Sequence, residues 1–132
     1  MEDPQNMRKQ YHFWPGENGL DAWDVDRLIE LSQGLPVEAV EVAAIGEVDS
    51  VYWFDEVHPP TVRAVIDHVR LINDLDLSFP IILGPDGRVM DGMHRIARAV
   101  LEDRVTIGAV RFRNLPEPDH LGVRLEDLSW ER

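Results

Sequence analysis

The residues best able to do chemistry lie together in the stretch Asp91-Gly92-Met93-His94-Arg95-Ile96-Ala97-Arg98-Ala99. A helix beginning near Gly92 leaves its first backbone N–H groups without carbonyl partners, and the aligned peptide dipoles place roughly half a positive charge there. Gly92 and Met93 would offer those N–H groups to an anion, and Gly92 carries no side chain to obstruct its approach. His94, Arg95 and Arg98 add imidazole and guanidinium donors from the first two turns, with Arg95 and Arg98 on one side of the helix. Phosphate is the ligand type that suits such a pattern. A purely structural reading of the same residues has Asp91 capping the helix, Gly92 serving a turn and the arginines forming a solvated face paired with acids such as Glu102. Asp91 weighs on that side, because a capping carboxylate occupies the N–H groups that a phosphate would use.

Other chemistries have less support. The chain has no cysteine, which excludes disulfides, thiolate metal sites and cysteine nucleophiles. None of the five histidines (His12, His58, His68, His94, His120) has a neighbour at metal-ligand spacing, so no metal site is expected. Asp67 and His68 read as surface groups of a helix. Glu47, Asp49, Asp55 and Glu56 lie in a long acidic connection, where one of them could act as a general base or hold Mg²⁺ against phosphate oxygens; an exposed acidic loop is the plainer reading. Trp53 and Phe54 could stack on a base or simply plug the core. No Gly-x-x-x-x-Gly-Lys phosphate loop, dinucleotide fingerprint or Gly-x-Ser-x-Gly elbow is present.

The elements that must position these groups follow from periodicity. Residues 1–23 read as an irregular N-terminal arm, broken by Pro4, Pro15, Gly16 and Gly19, whose Phe13, Trp14 and Trp23 dock on the domain. Asp24 is placed to cap a short helix carrying Val25, Leu28 and Ile29, which Gly34 and Pro36 end. A β-branched run predicts a strand over 39–45. Val62, Val65, Ile66, Val69, Ile72 and Leu75 recur at helical spacing and predict a helix over 61–75, with Thr61 at its cap and Arg63, Asp67, Arg70 and Asp74 on the other face. FPIIL at 79–83 predicts a strand buried on both faces, and Gly84-Pro85-Asp86-Gly87 a tight turn into a hairpin partner at 88–90. A helix follows over 93–101 and a strand over 106–113, ahead of an acidic tail over 114–132. The order predicts a small single α+β domain over 24–113, with a mixed short-stranded sheet and interspersed helices.

The 132 residues suffice for one core, and no apolar run approaches the ~20 residues of a membrane helix. The first residues lack the continuous apolar stretch of a secretory signal, so a cytoplasmic location and no membrane association are expected. A net charge of −12 argues against direct nucleic-acid binding. Positive charge is nevertheless concentrated: residues 88–113 hold six arginines against three acids, and the chain has a single lysine, Lys9.

The run FPIILGPDGRVMDGMHRIARAV resembles the signature of the ParB/sulfiredoxin superfamily, in which a strand and hairpin lead to a Gly-x-His-Arg or Gly-x-x-Arg helix start. The resemblance extends over residues 37–113. It implies a compact α+β domain whose motif loop and helix bind nucleotide phosphates, ATP in sulfiredoxins and CTP in ParB proteins. By analogy Thr61 and Arg63, at the start of the preceding helix, face the same phosphates. Sulfiredoxin chemistry itself is excluded, because Met93 stands where the reactive cysteine would be and a thioether cannot act as that nucleophile.

The expected function is therefore binding of a nucleotide or another phosphorylated small molecule at Gly92, Met93, His94, Arg95, Arg98, Thr61 and Arg63, with a nucleotide triphosphate and Mg²⁺ as the ligand to consider. Two alternatives stay open: an Mg²⁺-dependent small-molecule phosphotransferase or phosphohydrolase using an acid of the 47–56 loop, and a non-catalytic protein-interaction module. The tail residues Leu121, Val123, Leu125, Leu128 and Trp130 could cover the domain or a second subunit of a homo-oligomer.

Overall fold

The computed structural model describes residues 10–130. Its centre is a four-stranded mixed sheet built from β3 (Glu38–Glu41), β4 (Ile81–Leu83), β5 (Val89–Asp91) and β6 (Thr106–Arg111), in the order β3-β6-β4-β5. β4 and β6 run parallel, while the β3–β6 and β4–β5 pairs are antiparallel. The continuous apolar run of β4 is explained by burial on both faces. Ile81 and Leu83 point to one side with Val89, Ile107 and Ala109, and Ile82 points to the other with Met90, Val110 and Phe112. The first face is covered by α3 (Met93–Leu101) through Met93, Ile96 and Ala99; the second packs against Trp23 and Leu28. The class is α+β, as the element order predicts.

α1 (Val25–Leu31) starts where Asp24 Oδ1 accepts the Asp26 N–H at 2.9 Å. The turn after β4 closes through Gly84 and Gly87, with Asp86 Oδ1 accepting the Arg88 N–H at 3.0 Å. The predicted strand over 39–45 stops at Glu41 and continues as two 3-10 turns, Val42–Ala44 and Gly46–Asp49.

Two expectations need correction. The arm is not irregular over its described part: β1 (Tyr11–Gly16) and β2 (Gly19–Asp24) form a hairpin, and β7 (His120–Val123) of the tail adds to β2 to complete a three-stranded antiparallel sheet. Glu17-Asn18, flanked by Gly16 and Gly19, forms the two-residue turn, and the alternation of Tyr11 and Phe13 with His12 and Trp14 supplies the strand. Residues 1–9 of the arm and 131–132 of the tail lie outside the described residues.

The second concerns α2 (Val62–Asp74). The helix exists where periodicity puts it, capped by Thr61, but its valine stripe is not its packing face. Val62, Val65, Ile66 and Val69 are 38–78% exposed, and α2 instead turns Ala64, His68, Leu71 and Ile72 inward. Contacts with α3 decide this orientation: His68 meets His94, and Arg98 donates to the Ile72 and Asn73 carbonyls at the helix end.

Candidate functional site

The start of α3 is built by the strand before it. β5 ends at Asp91, and Gly92 then turns the chain with φ +108°, in the left-handed region. A Cβ there would stand 2.7 Å from Ile81 Cγ2, so the fold itself demands glycine. No side chain caps α3. Asp91 turns aside to Arg95, with Oδ2 3.1 Å from Nη2, and both side chains are almost fully buried. Arg95 reaches the Pro80 carbonyl at 3.4 Å, and its Nε has no hydrogen-bond partner.

A cavity of about 460 Å³ opens beside this helix start. Of the residues expected to bind phosphate, Gly92, Met93, His94 and Thr61 line it. Arg95, Arg98 and Arg63 are not among its lining residues. Arg98 instead bonds Glu102 Oε2 at 2.6 Å and the α2 carbonyls at 2.8 and 3.1 Å, and Arg63 lies on the exposed side of α2. What the fold assembles is therefore two helix N-termini in place of a guanidinium cluster. The first turn of α2 meets the cavity through Thr61 and Ala64, with Thr61 Oγ1 accepting the Ala64 N–H at 3.1 Å. The first turn of α3 meets it through Met93 and His94.

Between the two helices His68 Nδ1 and His94 Nε2 are 2.7 Å apart. Their ring planes differ by 13° with centroids 4.9 Å apart, so the imidazoles lie edge to edge, joined by that hydrogen bond. The Trp53 indole stacks on both, 4.6 Å from each centroid and within 14° of parallel, and Phe54 meets His68 edge-on at 5.3 Å. Such packing holds both rings in one orientation. The reading of His68 as a surface group is thus corrected. Its sequence signal was position: His68 falls four residues after Ala64 and three before Leu71, on the side of α2 away from the valines.

Of the four acids in the 47–56 connection, Asp55 alone lines the cavity. Its Oδ1 accepts the N–H groups of Val57 and His58 at 2.9 and 2.7 Å and lies 3.0 Å from His58 Nδ1. Glu47 accepts the Val89 N–H at 2.7 Å, which ties the connection to β5. Burial of the Tyr52 hydroxyl, with the Asp91 and Glu47 carboxylates nearby, holds that phenol above the usual tyrosine range. Tyr11, Phe13 and Trp130 cover the cavity from the two ends of the described chain. The Tyr11 hydroxyl donates to the Ser129 carbonyl at 2.8 Å, and Trp130 packs on Tyr11 and on His58 with centroids 5.1 and 4.3 Å apart. Sequence reading missed His58, Tyr11 and Trp130 as lining residues: the hairpin brings Tyr11 and the segment after β7 brings Trp130, while His58 is held by Asp55 within the connection.

Among the described residues, no group of three or more His, Asp or Glu side chains is placed to hold a metal ion, and no helix is long and apolar enough to cross a membrane. Neither a family model, nor a curated protein, nor a solved structure matches the chain.

Proposed function

We propose that the chain is a ParB/sulfiredoxin-like domain that binds a nucleotide, or another aromatic compound bearing phosphate, in the cavity at the start of α3. The observation that carries this reading is the opening of two helix N-termini, those of α2 and α3, into one cavity with aromatic walls. Helix N-termini favour anions, and aromatic side chains suit a planar base. The resemblance over 37–113 points to the same helix start. In this reading Gly92, Met93, His94 and Thr61 receive the phosphate, while Arg95 and Arg98 hold the helices in place and Arg63 stays on the exposed side of α2.

Calorimetry with a panel of nucleoside mono-, di- and triphosphates tests it. Binding is expected for nucleotides and should be at least tenfold weaker for the matching nucleosides. Ala64→Glu places a carboxylate in the cavity at the α2 N-terminus and should abolish nucleotide binding while leaving the circular dichroism spectrum intact. Absence of binding across the panel, or undiminished binding by the Ala64→Glu protein, would sink the assignment. The phosphotransferase alternative turns on Asp55, the acid of its loop that reaches the cavity, and would show as metal-dependent phosphate release lost in Asp55→Asn.

A further inference from the structure

The same cavity holds a device that the phosphate reading does not by itself require. At 2.7 Å, His68 Nδ1 and His94 Nε2 leave room for one proton between them. Two imidazolium rings would point N–H against N–H across that distance, so the pair carries a charge of zero or +1 and never +2. The surroundings are graded for such a switch. The Trp53 face lies over the joined rings and favours the cationic form. The start of α3, which contains His94, opposes it.

The titratable groups that share the cavity are Tyr11, Tyr52, Asp55 and His58 from the hairpin and the connection, Asp67 from α2, and Asp91 from β5. Asp91 is paired with Arg95, and Asp55 with His58. Neither pairing supplies a mobile cation to an incoming anion, and the arginines of α2 and α3 do not line the cavity. The histidine pair, which joins α2 to α3, is a group there that can gain positive charge at the moment the ligand enters.

Resting on the nucleotide reading, we infer that this site takes its ligand as a phosphate dianion together with one proton, which the His68–His94 pair binds. The ligand class is an aromatic phosphomonoester, of which a nucleoside 5′-monophosphate is the simplest member. The proton comes from solvent, and no bond in the ligand is made or broken. Above pH 7.5 the phosphate is already a dianion, so any proton uptake on binding then belongs to the protein.

Calorimetry with adenosine, guanosine, cytidine and uridine 5′-monophosphates, in buffers of differing ionisation enthalpy between pH 7.5 and 8.5, counts that proton. Up to one proton should be taken up per ligand, with affinity falling up to tenfold per pH unit as uptake approaches one. His68→Gln and His94→Gln should bind weakly and without pH dependence, while His120→Gln, exposed and outside the cavity lining, retains the uptake. Should the histidine variants fail to fold, imidazole NMR titration of the wild type gives the same answer, since the midpoint shared by His68 and His94 should rise on adding ligand. PH-independent binding, or uptake that persists in both variants, would overturn the proton-coupled site and leave nucleotide binding standing. Absence of binding by every monophosphate from pH 6 to 8.5 would overturn the proton-coupled site, and nucleotide binding falls with it when the di- and triphosphates fail as well.

Discussion

Arg95 and Asp91 bury opposite charges beside Ile81, with side chains 6% and 3% exposed, and the guanidinium Nε is left without a partner. Removing one member of such a pair strands a charge in a low-dielectric interior, which costs about 3–5 kcal/mol. Arg95→Ala should therefore appear in urea unfolding as a loss of that size, whereas Asp91→Asn/Arg95→Met should lose less than the sum of its single changes. A loss below about 1 kcal/mol for Arg95→Ala would show the pair to be solvated after all. The sequence displayed the residue types of this helix start but not their directions. His94 lines the cavity and Arg95, the next residue, does not, because adjacent positions on a helix point about 100° apart and only the packing of α3 on the sheet selects which one meets open space.

α2 shows how far periodicity reaches at the level of an element. The recurrence of Val62, Val65, Ile66 and Val69 located the helix and its Thr61 cap, yet those side chains are exposed and the packing face is Ala64, His68, Leu71 and Ile72. A 3.6-residue period reports that apolar and polar sides differ; it does not report which side a neighbouring helix takes. Val65→Lys and Val69→Lys should consequently change stability by less than about 0.5 kcal/mol each, as surface substitutions do. Ile72→Ala should cost about 2–5 kcal/mol in the same urea titration. Large losses from the two lysine variants would place the valine stripe inside the folded chain. The strands were more legible: Ile81–Leu83 of FPIIL is covered on both faces, although Phe79, predicted to belong to the strand, lies before it and is 59% exposed.

Across the whole molecule, the sheet formed by β1, β2 and β7 covers the second face of the central sheet. His12 of β1 lies against Trp14 and Trp23 there, with ring centroids 6.1 and 5.5 Å away. Its Nε2 is buried without a partner, and burial, helped by the Arg88 charge, lowers the imidazole to a pKa of about 4. As pH falls below 6.5 the unfolded chain takes up the proton first, so stability should decline from pH 6.5 to 4, by about 3 kcal/mol for this group. Above pH 6.5 the contribution is constant. Thermal unfolding of wild type and His12→Phe across this range checks it: the variant should show a flatter acid limb, and parallel curves would count against the assignment. This level of organisation was the least legible in the sequence. The hairpin's glycines and Pro15 mask its alternation, and the β2–β7 pairing joins residues about a hundred positions apart with no local signal.

Tyr11 and Trp130 meet in the wall of the cavity, so its lining is completed by a contact between opposite extremes of the described backbone. Anything that pulls either extreme away from the other would therefore change the shape of the cavity even with its remaining lining residues untouched. A dye pair placed there would report, as energy transfer, whether the two extremes stay together when ligand is added.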